Sequence, residues 1–276
     1  MLRIFLSTCV YWLLLATAPA AAQSPEFYGR SLAAYTDLKF PPAAQDLSLF
    51  GSMSNGLFKP AGEGPFPAVV LVHTCGGLQP HITDRAKDLL AAGFLVLVLD
   101  SYGPRGHTAY CQPRGVTAPR LYKDTFDALD HLSTLKEVDA SKIYLVGLSL
   151  GSFAASSVAS ANVAKRLGSG RRFKASVGWY GSCTFDVSPF PKWRLLHPDT
   201  DMPVLLLLAR NDTETPIADC FPLLDQMKGE GRPVAWHVYE SATHGWDKSN
   251  VQRGYVLSRE TTKDAMDRTV KFLKEH

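Results

Sequence analysis

Blocks of like charge are missing from this 276-residue sequence. Its 29 Lys and Arg stand against 26 Asp and Glu, a formal net charge of +3 dispersed along the chain. That balance points away from nucleic acid or an acidic membrane surface as a partner. Neither H-x-x-x-H nor C-x-x-C spacing occurs, so no metal site is expected. Internal repeats, low-complexity tracts and linker-like stretches are also absent, which predicts one domain. Long apolar runs are scarce. The one at the start, Ile4 to Leu15, is shorter than a comfortable membrane span. With Arg3 before it and Ala20-Ala21-Ala22 after it, residues 1–22 read as a cleavable export signal, with an uncleaved anchor as the competing reading.

Cysteine is sparse as well, with five in all and Cys9 inside the export segment. Periplasmic or secreted localisation places the other four, Cys75, Cys111, Cys183 and Cys220, where disulfides form. Four cysteines allow three pairings, and the sequence alone leaves all three open. The expected mature chain, residues 23–276, suffices for one large α/β domain with a substantial core.

What is present is an alternation of apolar runs and amphipathic stretches. Residues 23–45 read as a surface lead-in. Residues 46–53 and 56–60 read as an edge hairpin about Ser54-Asn55-Gly56. Buried strands are expected at 66–74, 94–99, 143–146, 173–180, 204–209 and 234–239. Helices are expected at 82–92, 120–136, 152–164, 216–228 and 259–274, the fourth begun by Pro216. The stretch 101–119, rich in Gly and Pro, reads as a long functional loop. Strands alternating with helices predict a mostly parallel sheet of about eight strands with helices on both faces.

One junction organises the rest. Ile143 to Val146 is followed by Gly147-Leu148-Ser149-Leu150-Gly151 and then by a small-residue helix. A G-x-S-x-G between strand and helix is the nucleophile elbow of an α/β-hydrolase fold. A serine hydroxyl needs an imidazole to take its proton and a carboxylate to orient that imidazole. Asp212 follows the strand at 204–209 and His244 follows the last strand, which is the chain order this fold uses. Glu214 is the alternative acid. His237, inside a strand pattern, is the lesser candidate for the base. The amide of Leu150 and that of Cys75, in the glycine loop after the strand at 66–74, are the expected oxyanion donors. A nucleophilic Cys75 thiol is the competing reading, but Cys75 lacks the elbow.

Five stretches together resemble the dienelactone hydrolase family: HTCGG at 73–77, DSYGPRG at 100–106, GLSLG at 147–151, RNDTETP at 210–216 and THGW at 243–246. The resemblance runs from about Phe66 to the C-terminus. It implies Ser149, Asp212 and His244 as the triad, with Cys75 and Leu150 at the oxyanion. It also implies an arginine near position 105 that binds a substrate carboxylate, here Arg105. Trp246, beside His244, and Trp179-Tyr180 are placed to line an acyl pocket. The sheet order that the resemblance implies pairs Cys75 with Cys111 and Cys183 with Cys220. Two departures stand out: the family's best-known members carry cysteine where this chain has Ser149, and glutamate where it has Thr74.

The expected protein is therefore an exported serine hydrolase of small-molecule carboxylic esters or lactones, needing no cofactor and no stable membrane association after cleavage. A thioesterase, peptidase or acyltransferase would use the same triad. A non-catalytic binding protein on this scaffold is the rival of another class.

Overall fold

The run Ala68-Val69-Val70-Leu71-Val72 has no polar side, so as a strand it must be covered on both faces. In the computed structural model it is. The structure describes residues 25–45, 55–107, 116–186, 192–250 and 253–276. Ala68, Val70 and Val72 pack with Leu95, Leu97 and Leu99 in one core, while Val69 and Leu71 pack with Val96 and Val98 in the other. Each such side chain contributes about 1.5–3 kcal/mol on full burial. This double core holds the strand ends that carry the site.

The strands are β1 (Gly56–Phe58), β2 (Phe66–Val72), β3 (Leu95–Leu99), β4 (Val138–Leu148), β5 (Ser176–Trp179), β6 (Thr184–Phe185), β7 (Trp193–Arg194), β8 (Val204–Asn211) and β9 (Val234–Thr243). The helices are α1 (Pro25–Ala33), α2 (Pro80–Ala91), α3 (Ala118–Leu132), α4 (Leu150–Ser157), α5 (Ala161–Leu167), α6 (Cys220–Gly229) and α7 (Arg259–Glu275). The main sheet runs β1-β3-β2-β4-β5-β8-β9, with β1 antiparallel to β3 and the other pairs parallel. Ile82, Ala86 and Leu89 of α2 and Ala265, Met266 and Leu273 of α7 cover one face. Side chains of α3, α4, α5 and α6 cover the other. This is the α/β-hydrolase arrangement.

Several boundaries differ from the sequence reading. The main sheet has seven strands among the described residues, not about eight. Two further strands, β6 and β7, pair only with each other. The lead-in carries α1, which packs on α3. Of the expected edge hairpin, residues 46–53 lie outside the described residues, and β1 pairs with β3. The helix expected at 152–164 is broken into α4 and α5. Ser160 caps α5 by accepting from the Val163 amide, and the Asp199 carboxylate accepts from the Ser160 hydroxyl and the Asn162 amide. Side chains that satisfy local amides in this way end one helix and start another. Pro216 begins no helix. The Asp212 carboxylate takes the amides of Glu214 and Thr215 and turns the chain first, so α6 starts at Cys220.

Residues 1–22, 108–115 and Cys111 lie outside the described residues. Among those described, no helix is long and apolar enough to cross a membrane. Cys183 and Cys220 are joined by a disulfide across 37 residues, tying the segment after β5 to the start of α6. Cys75 is also disulfide-bonded. Closing a loop of this length removes unfolded-state entropy worth about 2–4 kcal/mol. Replacing Cys183 and Cys220 together by alanine is expected to lower stability by that amount, read as a fall in the urea midpoint with a steeper slope as the uncrosslinked unfolded chain exposes more surface.

Candidate active site

Five side chains of the site each stand first past the carboxyl end of a parallel strand. Ser149 follows β4, Tyr180 follows β5, Asp212 follows β8, His244 follows β9 and His73 follows β2. Because these strands are neighbours in the sheet, residues up to 171 apart in the chain meet on one rim (244 minus 73).

Ser149 stands on a sharp turn at φ 53° and ψ −110°, a region that L-residues avoid. The turn is held because the Ser149 amide donates to the Trp179 carbonyl at 3.0 Å. It closes tightly because residues 147 and 151 lack a Cβ. One at Gly147 would lie 2.0 Å from the Gly151 carbonyl oxygen, and one at Gly151 would lie 2.4 Å from that of Val72.

Ser149 Oγ lies 2.9 Å from His244 Nε2, and His244 Nδ1 lies 2.8 Å from Asp212 Oδ2. All three side chains belong to buried residues. An ionised carboxylate only accepts, so Asp212 draws the imidazole proton to Nδ1 and leaves Nε2 to accept from the serine hydroxyl. Asp212 is itself fixed. Its Oδ1 accepts from the amides of Glu214 at 3.0 Å and Thr215 at 2.8 Å, and its Oδ2 accepts from the Thr215 hydroxyl at 2.8 Å. His244 is packed between the rings of Tyr180 and Tyr255, each with its centroid 5.2 Å away. Glu214, the alternative acid, sits on the other side of the imidazole, its carboxylate 3.7 Å from Nε2. His237 lies within β9 and takes no part.

Leu150 is the first residue of α4, so its N–H is one of the donors a helix leaves unpaired at its start. Cys75 lies in the turn closed by the Gly77 amide on the Thr74 carbonyl, at 3.0 Å. His73 ties that turn to the rest of the rim. Burial holds its imidazole below the ordinary pKa, so it is neutral. Its Nδ1 donates to the Thr74 carbonyl at 2.7 Å while Nε2 accepts from the Ser101 amide at 3.2 Å.

Arg105 is placed differently from the expectation. Its guanidinium fork is filled by Asp124, with Nη1 2.6 Å from Oδ2 and Nη2 2.9 Å from Oδ1. Its other hydrogen bonds are to the carbonyls of Ser101 and Thr36 and the Ser101 hydroxyl, and its guanidinium lies over the Tyr35 ring at 5.7 Å. A substrate carboxylate would have to displace a buried ion pair. Arg105 instead pins the start of the 101–107 segment to α3 and to the lead-in. Replacing it by glutamine leaves Asp124 with Arg120 and the Ser101 hydroxyl. The expected result is a stability loss of about 3 kcal/mol by urea unfolding, with KM for a neutral ester changed by less than about twofold.

Trp246 is likewise packed rather than open. It is fully buried, with Trp179, Tyr180 and Tyr239 around it at ring-centroid distances of 5.9, 4.8 and 5.2 Å. Trp179 and Tyr180 are fully buried too. Tyr180 shares Ser149's left-handed backbone, at φ 38°, and its hydroxyl donates to the buried Asp247 at 3.0 Å. Sequence reasoning missed Thr215, Tyr255 and His73 as parts of the site. Position was the available signal, since each lies within a few residues of a strand's carboxyl end or in the segment just after His244. Among the described residues, no three His, Cys, Asp or Glu gather as a metal site.

The family model for the dienelactone hydrolase family matches residues 53–276. A Methylorubrum extorquens protein bearing the name carboxymethylenebutenolidase is 23% identical over 194 residues, covering 68% of this chain and 65% of that one. Esterase EstD of Thermotoga maritima is 37% identical over 101 residues, covering 33% of this chain and 23% of its own. The chain thus spans less than two thirds of the length of either of these curated relatives. A Klebsiella pneumoniae crystal structure described as a dienelactone hydrolase superposes with a TM-score of 0.62 at 21% identity, over 79% of this chain and 91% of that one.

Proposed function

This chain belongs to the dienelactone hydrolase family, and on that footing we propose that it is an exported serine hydrolase, cleaving carboxylic esters or lactones through an acyl-enzyme on Ser149. The observation that carries the reading is the unbroken line Ser149 Oγ, His244 and Asp212, at 2.9 and 2.8 Å.

In the first half-reaction Ser149 Oγ attacks the ester carbonyl carbon as its proton passes to His244 Nε2. The oxyanion is received by the amides of Leu150 and Cys75. The C–O bond to the leaving group then breaks, and Nε2 returns the proton to the departing alkoxide. In the second half water attacks the acyl carbon and gives a proton to Nε2, the bond to Ser149 Oγ breaks, and Nε2 returns that proton to Oγ. Side chains, backbone amides and water suffice for every step. Residues 23–276 form the proposed mature domain. Export is supported by the composition of residues 1–22 and by the Cys183–Cys220 disulfide, since such bonds persist in the periplasm or outside the cell.

A fluorophosphonate probe tests the reading. Its adduct should be found by peptide mass spectrometry on Ser149 and should be missing from His244→Ala. Folded wild-type protein that takes no label would favour a binding role for the scaffold.

A further inference from the structure

Two carboxylates flank the imidazole edgewise, and only one has a place in the triad. Asp212 holds Nδ1, while Glu214 Oε2 lies 3.7 Å from Nε2, the nitrogen that also faces Ser149 Oγ. The placement of Glu214 is built. Its amide donates to Asp212 Oδ1, which sets both carboxylates on one turn. Its Oε1 accepts from Arg253 Nε at 2.7 Å, and burial first, then a hydrogen bond to Glu214 and the charge of that carboxylate, raise the Tyr255 hydroxyl above its ordinary pKa. Oε2 faces Nε2 across 3.7 Å, and the Glu214 side chain keeps 24% of its surface open to solvent.

A span of 3.7 Å is too long for a direct hydrogen bond, and it suits a bridge. Once Ser149 Oγ is acylated it no longer donates to Nε2, and one water about 2.8 Å from each atom can then bridge them, donating one O–H to Oε2 and the other to Nε2. We propose that Glu214 holds the water that hydrolyses the acyl-enzyme. This rests on the serine reading above. In the step, the water oxygen bonds to the acyl carbon and the proton aimed at Nε2 moves to His244. The second hydrogen remains on the new hydroxyl, held by Glu214. The tetrahedral intermediate then collapses, the bond to Ser149 Oγ breaks, and Oγ takes the proton from Nε2. Glu214 begins and ends as a carboxylate, so it directs the nucleophile without a net transfer. During acylation no such water is needed.

The role therefore separates the two half-reactions. With p-nitrophenyl acetate, p-nitrophenolate release reads acylation, and acid quench with peptide mass spectrometry reads the decay of acetyl on Ser149. Glu214→Gln is expected to slow acetyl decay about tenfold and leave acylation within about twofold, so that acetyl-enzyme accumulates. Arg253→Gln, which frees the carboxylate from its anchor, should slow decay by less and again spare acylation. Equal slowing of both half-reactions would assign Glu214 a merely structural role, and unchanged decay in Glu214→Gln would overturn the proposal outright. Turnover with no acetyl on Ser149 in any of the proteins would instead overturn the serine reading, and the proposal with it.

Discussion

Ser149→Ala is expected to lower kcat for a p-nitrophenyl ester by about 10⁴–10⁶-fold, because a triad acts as a unit. The loss should come without a loss of fold. Ser149 Oγ makes its contact with His244 Nε2, and the turn itself is held by backbone, the Ser149 amide on the Trp179 carbonyl. Since alanine is no more comfortable than serine at φ 53°, the strain is unchanged. His244→Ala should cost a similar factor, and the double variant little more than either alone, since neither side chain works without the other. Asp212→Asn is expected to cost up to about 10⁴-fold by a different route. Oδ1 accepts from two amides, so the carboxamide oxygen stays on that side and the NH₂ turns toward His244 Nδ1. A donor facing Nδ1 forces the imidazole proton onto Nε2, and the ring can then no longer accept from Ser149. Steady-state kinetics on the purified variants, with far-ultraviolet circular dichroism to establish folding, decide the point. Residual activity in Ser149→Ala within about tenfold of wild type would exclude the serine as nucleophile.

The parts of this molecule that could be read from the chain are those where one local rule dominates. Strands buried on both faces must be apolar throughout, and β2, β3 and β8 announce themselves that way. The elbow is legible because its glycines answer a close approach at a fixed spacing from Ser149. Asp212 and His244 were findable because the fold puts such residues just past strand ends. Partners chosen by the tertiary structure left no local trace. Arg105 looked available in a glycine-proline segment, yet Asp124, 19 residues on and in the first half of α3, fills its fork. Trp246 follows His244 closely enough to suggest a pocket wall, but the turn after β9 swings its ring inward onto Trp179 and Tyr239. Two-residue strands such as β6 and β7 carry too few side chains for periodicity to register. The break between α4 and α5 depends on Asp199, which the chain brings back from 39 residues away.

Gly151→Ala is expected to lower stability by about 3 kcal/mol and, at temperatures where the variant is still folded, to lower kcat by about 10²-fold. The two effects share one cause. A Cβ at position 151 would lie 2.4 Å from the Val72 carbonyl oxygen, 2.9 Å from its carbon and 3.0 Å from the His73 carbonyl oxygen. All three atoms are backbone, so no side chain can swing aside, and α4 must move off the end of β2. Leu150 immediately precedes Gly151 on α4, and Val72-His73 leads directly to Cys75. The contact at Gly151 therefore sets the separation of the two amides proposed to receive the oxyanion. A displacement of even 1 Å between preorganised donors is enough for the expected loss in rate. Gly229, at the end of α6, is the control, because nothing lies within 4 Å of a Cβ added there. Gly229→Ala should leave both the urea midpoint and kcat near wild type. Gly151→Ala should shift the midpoint and, when assayed well below its unfolding temperature, lower kcat with KM nearly unchanged. A Gly151→Ala protein that loses stability but keeps full kcat would mean that the oxyanion is held by donors other than Leu150 and Cys75.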